Sequence, residues 1–351
     1  MRNFDYEKIS HQIIDDEIIS LLTRIYELKG MHSYILKYSD IDFSNMKRIA
    51  RINSLISAHK FENVAISLQD VEYMLDNNSR ADNCNAHFQF QGYHEALNYI
   101  FDDKTTRINV ELVLEILKKS NANRRLCSDE YRRGDKGDLV SVYKPGEYLP
   151  CFQYQSAYGA TVSKYIESTI SAFKDSFAVK NVDPLISATI LISDYLAIHP
   201  FHGHNKKVCW ILFNYLLKFC DFKIAEYMSV EKIISENMET FYKVWEHTMI
   251  DWNDNKNDYN EMTKFLLKVV LQSYKAFFEF MELYHSKMTK PERIEYILKD
   301  RSYVMTKREL IELCPDISDT TIEITLGELL RSGKVEKIGG GRYTKYRYKR
   351  T

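Results

Sequence analysis

The chain has 351 residues, of which 45% are hydrophobic and 28% charged. That composition excludes wholesale disorder and, at about 100–200 residues per domain, fits two or three domains. Its 48 Lys and Arg against 49 Asp and Glu give a formal charge of −1, so no global field marks it as a nucleic-acid or membrane binder. Only 12 Gly and 6 Pro argue against a turn-rich β-sandwich and for long helices.

The first hundred residues read as helices. Ile13, Ile14, Ile18, Leu21, Leu22 and Ile25 recur at helical spacing, as do Met46, Ile49, Ile52, Leu55 and Ile56. Asn77-Asn78-Ser79 and the polar stretch to Asn85 predict a loop. Helices are expected around Tyr93 to Phe101 and across Val110 to Leu117.

Residues 127–150 break this pattern, with three of the glycines and two of the prolines. Leu139 to Tyr143 alternates with period two, Pro145-Gly146 turns the chain, and Tyr148 and Leu149 return, predicting a β-hairpin flap within 129–150. An isolated hairpin is marginal in water, so it must pack on something or move as a flap.

Asp183-Pro184 opens the next helix with an N-cap acid and proline at the first helical position. It should end at His199-Pro200, because the residue before proline is pushed out of the α region. Val208, Ile211, Leu212, Tyr215, Leu216 and Phe219 define a further amphipathic helix. Two more are predicted from about Val230 to Thr248 and from Asn260 to Ser286. From Met288 the order is helix 291–298, helix 306–313, helix 319–332, then strands 335–338 and 343–348 around Gly339-Gly340-Gly341. That is the order of a winged helix-turn-helix, and 14 Lys and Arg against 10 Asp and Glu make the segment mildly basic.

The six cysteines (Cys84, Cys127, Cys151, Cys209, Cys220, Cys314) are scattered without a C-x-x-C pair. They read as buried thiols in a reducing cytosol rather than as a disulfide framework or zinc knuckle. The N-terminus carries acids where a signal peptide needs an apolar core. The longest apolar run, Leu185 to Ile198, is interrupted by Asp194 and falls short of the ~18 residues of a membrane span. A soluble cytoplasmic protein with no membrane partner is expected.

The sharpest feature is HPFHGHNKK, His199 to Lys207, between two strongly patterned helices. The first-turn N–H groups of the second helix have no intrahelical partner and present the positive end of its dipole to the loop. Lys206 and Lys207 add charge, which makes a site suited to phosphate. His199, at the far end of the loop, is placed to act as a general base near neutral pH.

The segment resembles the signature loop of the Fic (filamentation induced by cAMP) family, H-P-F-x-[D/E]-G-N-G-R-x-x-R. His199, Pro200, Phe201 and Asn205 match, and Lys207 stands in for the first arginine. Pro184-Leu185-Ile186, Asp129-Glu130-Tyr131-Arg132 and Asn237-x-x-x-Phe241-Tyr242 extend the resemblance over roughly residues 40–285. It implies a mainly α protein: an N-terminal helical region (1–95), a Fic core with its flap (96–286), and a winged helix-turn-helix (288–351).

Fic proteins transfer AMP from ATP to a hydroxyl side chain of a target protein, helped by magnesium. The resemblance therefore implies that His199 deprotonates a Ser, Thr or Tyr hydroxyl and that Phe201 anchors the loop. Gly203, His204, Asn205, Lys206, Lys207 and Tyr242 would hold nucleotide phosphates. Val140, Val142 and Tyr148 of the flap would dock the target, added as a strand to the hairpin edge.

The sequence also departs from the family. Gly203 replaces the carboxylate that binds magnesium, His204 and Lys206 replace glycines, and Trp210 replaces the arginine that holds the γ-phosphate. Asn205-Lys206-Lys207 is similar to the Asn-Lys-Arg of Doc toxins, which transfer the γ-phosphate. Phosphoryl transfer, or a catalytically weak nucleotide-binding or transcription-regulating protein, are the alternatives to AMP transfer.

Many Fic proteins carry an inhibitory helix, [S/T]-x-x-x-E-[G/N]. Ala58 to Asn63, at the end of a helix over 46–63, keeps its Glu-Asn end. With Trp210 in place of the usual arginine, Glu62 would meet Lys207 or Lys206. In the C-terminal segment the expected recognition helix, Asp319 to Thr325, is acidic and short of base-reading side chains. DNA contacts through the wing and basic tail, or a protein–protein role including a homodimer, are both open.

Overall fold

The computed structural model describes residues 2–62, 64, 66, 71–72, 75, 85–102, 107–121, 130–134, 136–179, 182–300, 304–341 and 344–349. The expected loop over 77–85, Asn63, Asp129, Cys84, Cys127 and part of the basic tail lie wholly or partly outside them. The chain divides into two compact units, one of residues 1–38 and 51–274, the other of 39–50 and 275–351.

The first unit is built around α7, Pro184–Ile198, in which every residue from Leu185 to Ile198 is buried. Asp183 starts it as expected: its carboxylate accepts from the N–H groups of Leu185 and Ile186, with proline at the first helical position. A helix apolar on all sides must be covered on all sides. Here α1 (Tyr6–Ile13), α6 (Gly159–Ala178), α8 (Asn205–Phe219), α10 (Met238–Met249) and strand β2 (Phe152–Tyr158) pack against it.

Its one acid, Asp194, is fully buried and accepts from the Tyr6 hydroxyl (2.9 Å), the Trp252 indole (2.7 Å) and the Tyr259 hydroxyl (2.6 Å). Arg2 pairs with it at 3.5 Å. Burial pushes this carboxyl above its ordinary range, opposed by Arg2 and the three donors. The polar break in the apolar run is thus where the N-terminal segment fastens to the core.

Four expectations are corrected. One helical reading near the N-terminus becomes two helices, α1 and α2 (Asp16–Tyr38), because the Asp15 carboxylate accepts from the Ile18 N–H and starts a new helix. The 230–248 helix breaks at Asn237 into α9 (Val230–Glu236) and α10; Asn237 turns its amide back onto the Ile233 carbonyl. Helix α6 was not foreseen, although Val162, Tyr165, Ile166, Thr169, Ile170 and Phe173 bury one helical face.

The fourth concerns the flap. Strand β1 is Gly137–Val142, but its partner β2 is Phe152–Tyr158, paired antiparallel with Val140 opposite Tyr154 and Val142 opposite Phe152. Tyr148 and Leu149 lie in the connection, 97% and 79% exposed. The alternation that favours a strand resumes only at Phe152, whose ring packs edge-on against Trp245.

Residues 51–60 of α3 (Ser44–Lys60), with α4 (Asn85–Phe101) and α5 (Val110–Ser120), complete this unit with α8. Gly92 of α4 sits where a Cβ would come within 2.3 Å of the Ser120 carbonyl oxygen, so the α4–α5 crossing depends on glycine. Helix α11 is Asn260–His285. In the second unit, α12 (Lys290–Asp300), α13 (Lys307–Leu313) and α14 (Asp319–Arg331) enclose a core of Ile294, Leu298, Leu310, Ile322 and Leu326. A small sheet in the order β3 (Met305–Thr306), β5 (Lys345–Tyr348), β4 (Val335–Ile338) closes it. Among the described residues no helix is long and apolar enough to cross a membrane.

Candidate functional site

Helix α7 ends on His199, which adopts a left-handed conformation (φ 49°, ψ 63°) while its N–H still donates to the Tyr195 carbonyl at 3.1 Å. The following Pro200 forbids continuation of the helix, and a non-glycine residue at positive φ stores strain that its surroundings must hold. Arg132 supplies much of that restraint. It is 2% exposed, and its guanidinium donates to the carbonyls of His199 (2.6 Å), Ile198 (2.8 Å) and Ala157 (2.5 Å) and to the Ser156 hydroxyl (3.0 Å). Its own N–H donates to Pro200. A cation on the last carbonyls of a helix is favoured by orphan acceptors and dipole alike.

Phe201 is 1% exposed and stacks on Tyr131, with 5.4 Å between ring centroids. Asn205 then fastens the loop to the start of α8. Its Oδ1 accepts from the Phe201 N–H (3.0 Å), and its Nδ2 donates to the Phe201 carbonyl (2.7 Å) and lies 3.2 Å from His199 Nε2. Because Nδ2 is a donor, neutral His199 presents a lone pair at Nε2 and carries its proton on Nδ1. Among the described residues Nδ1 has no hydrogen-bond partner. Burial, then the Arg132 charge, push the His199 pKa down to about 4, not near neutrality as expected. At neutral pH the ring is uncharged.

The N-cap of α8 is His204, also left-handed (φ 62°), with no side-chain cap bond. The first-turn N–H groups of α8 therefore face the loop without side-chain competition. The lysines do not point the same way. Lys206 Nζ donates to the Phe61 carbonyl at 2.7 Å, and burial lowers its ammonium below the ordinary range. Lys207, 1% exposed, donates to Gln89 Oε1 (2.7 Å) and lies 3.3 Å from Glu62 Oε2. Glu62 also stands 3.8 Å from His204 Nδ1. Carbonyls just beyond a helix end and a carboxylate attract ammonium groups, which explains why both lysines turn to the end of α3.

Trp210 is fully buried, 5.8 Å from the Phe61 ring and 5.1 Å from Phe241. The place of the family arginine is filled by an aromatic cluster that Tyr242 joins, 5.4 Å from Phe241. Tyr242 is 2% exposed, its hydroxyl has no hydrogen-bond partner among the described residues, and burial raises its phenol. Val140 and Val142 turn their side chains inward (9% and 3% exposed), so only their backbone could meet a docked chain. Leu139 and Tyr143 occupy the outer face.

Gly203 is exposed, and a Cβ there would meet nothing within 4 Å, so the fold does not demand glycine. Among the described residues no group of three His, Cys, Asp or Glu could hold a metal ion. Imidazoles are poor magnesium ligands, and the carboxylate of Glu62 is engaged by Lys207. The side chains present do not fit a magnesium ion. Gln89 carries this site without a periodic or spacing signal, and Arg132, which belongs to the Asp129–Arg132 motif of the resemblance, was given no role in it.

No protein-family model and no curated protein matches the chain. Solved structures do. A Fic family protein from Desulfovibrio desulfuricans G20 superposes with TM-score 0.61 at 16% identity, covering 96% of this chain and 97% of that one. The chain has the Fic fold. A Fic domain containing signaling protein from Bacteroides thetaiotaomicron VPI-5482 gives TM-score 0.55 at 13% identity, over 74% of this chain and 95% of that one. Fic-1 from C. elegans gives 0.51 at 13% identity, over 76% and 73%. With so little identity the likeness is one of Fic architecture, mainly α with a small hairpin.

Proposed function

We propose that this Fic-fold protein is a protein adenylyltransferase that moves AMP from ATP to a Ser, Thr or Tyr hydroxyl of a target protein. The observation that carries the reading is the pairing of His199 with Asn205 across a loop that leads into the uncapped N-terminus of α8. The target oxygen attacks the α-phosphorus, the bond to the β-phosphate bridging oxygen breaks, and pyrophosphate leaves. The hydroxyl proton passes to Nε2 of His199, whose neutral form is fully populated at pH 7. Orphan N–H groups of α8 stabilise the growing charge on the phosphate oxygens. No step is assigned to a metal.

Glu62 acts as a guard in this reading, holding Lys207 until nucleotide displaces it. The 288–351 unit is read as a winged helix that meets a protein partner rather than DNA. Lys307 is neutralised by Glu323 (2.7 Å) and Arg347 by Glu336 (2.5 Å), which weakens a phosphate-binding face.

Incubation of the full chain with α-labelled and γ-labelled ATP, beside His199→Ala, tests the transfer. α-Label on protein, lost in the variant, supports AMP transfer. γ-Label alone replaces it with phosphoryl transfer, and nucleotide binding without label from either overturns both.

A further inference from the structure

Helix α2 turns Ile18, Leu21, Ile25, Leu28 and His32 into the first unit. A surface helix with such an inner face is expected to be polar on the outer one. Here the outer face instead exposes Ile19 (52%), Met31 (48%), Tyr34 (66%) and Tyr38 (62%). Exposed hydrophobic residues scattered singly need no explanation, but a row of them along one helix marks an interaction surface.

Ile19, Thr23, Tyr26, Gly30 and Tyr34 succeed one another at spacings of three and four, so they form one line along that face. Two of them are small. Thr23 Oγ1 donates to the Ile19 carbonyl at 2.8 Å, so its hydroxyl is satisfied within the helix and can be covered. At Gly30 a Cβ would meet nothing within 4 Å. Glycine weakens a helix interior, and no contact within the chain requires it at this position. The close approach of a second helix would require it.

Charge sets the direction of that helix. Glu17 is held by Lys264 and Lys268, and Lys29 by Asp221. Asp16 in the first turn and Lys37 in the last stay exposed on the outer line. A second copy of α2 laid antiparallel sets Asp16 of each copy beside Lys37 of the other. The same register, centred between residues 26 and 27, sets Thr23 beside Gly30 and Ile19 beside Tyr34. Parallel pairing would instead bring like charges together and align the two helix dipoles. With 23 residues α2 is about 35 Å long. A strip of that length on both helices removes on the order of 1,000 Å² from water, the lower bound of a specific interface.

We propose that α2 is the contact through which two copies of this chain pair antiparallel about a two-fold axis. Such a contact uses the same face twice and closes at two copies. It does not depend on what the His199 loop catalyses.

Sedimentation equilibrium of the full chain tests it over about 1 to 100 µM, the range suited to an interface of this size. The chain should be a dimer in the upper part of that range. Gly30→Leu has room in the single chain and replaces glycine with a better helix former, so the melt should not fall. Association should nevertheless weaken about ten-fold or more. Asp16→Lys alone and Lys37→Glu alone should each weaken it about five-fold. The two exchanges together should restore it, because only antiparallel helices then regain opposite charges. A chain that stays monomeric at the highest concentration, a dimer indifferent to Gly30→Leu, or a double exchange that associates no better than the single ones overturns the assignment.

Discussion

Glu62 Oε2 lies 3.3 Å from Lys207 Nζ and 3.8 Å from His204 Nδ1, so one carboxylate beyond the end of α3 engages two residues at the start of α8. The Lys207 side chain is 2% exposed and that of Glu62 20%. A buried ammonium loses more from a missing partner than an exposed pair would.

Glu62→Ala leaves Lys207 with the neutral Gln89 Oε1 as an acceptor. Thermal unfolding should show a loss of about 1–3 kcal/mol. Titration with ATP should show several-fold tighter binding, since a lysine released from its carboxylate is available to phosphate. Unchanged affinity would mean that the contact is structural and does not guard the site.

Trp210 tests whether the family arginine can simply be restored. Trp210→Arg places a guanidinium at a fully buried position between Phe61 and Phe241. An unpaired charge there costs several kcal/mol, so the variant should melt well below the parent. Combined with Lys207→Ala, which frees Glu62 to meet the new cation, part of the loss should return. A melt equal to the parent's for Trp210→Arg alone would show that the cluster is not packed as described.

The contrast between Phe201 and the ends of α7 shows what the sequence made legible. The Pro184 helix start and the His199-Pro200 stop follow local rules of capping and backbone sterics, and each lies where those rules place it, whereas a buried Phe201 is implied by the resemblance alone. The strand at 335–338 and the helix at 319–331 also lie where local rules place them. The true partner strand of the flap is not legible because the nine-residue connection between Val142 and Phe152 carries no pairing code of its own. The role of Arg132, a residue of the Asp129–Arg132 motif, is not legible for another reason. Its acceptors, at Ser156, Ala157, Ile198 and His199, come from two elements distant in sequence, and nothing local to 132 encodes them. Lys206 and Lys207 were assigned by charge, but the nearest attractive oxygens, at Phe61, Glu62 and Gln89, decide where their ends go.

Gly203→Asp should be accepted by the fold, because a Cβ there meets nothing within 4 Å. The new carboxylate supplies the hard oxygen ligand that imidazoles do not. Calorimetric titration of ATP should become magnesium-dependent in the variant, with melting unchanged within about 0.5 kcal/mol. Identical magnesium dependence in parent and variant would locate the metal's contacts elsewhere.

His199 gives a prediction with a sign that can be worked out. Its pKa is pushed down to about 4 by burial and by the Arg132 charge, and burial pushes His32 and His94 to about 4 and His59 to about 3. Between those values and the ordinary 6.5 the unfolded chain binds more protons than the folded one, so stability rises with pH through this window. Acidification from pH 6.5 toward 4 should therefore lower the melting temperature steadily, while the range from 7 to 8 leaves this contribution unchanged. The His199 ring signal, followed by NMR, should titrate near 4 in the parent. Arg132→Met removes the cation and should move that titration toward 6.5. Arg132→Lys keeps the charge but gives up most of the carbonyl bonds, so the melt falls while the His199 midpoint stays low. Equal midpoints in the parent and the Met variant would mean that burial alone sets the value and that Arg132 acts only through its hydrogen bonds.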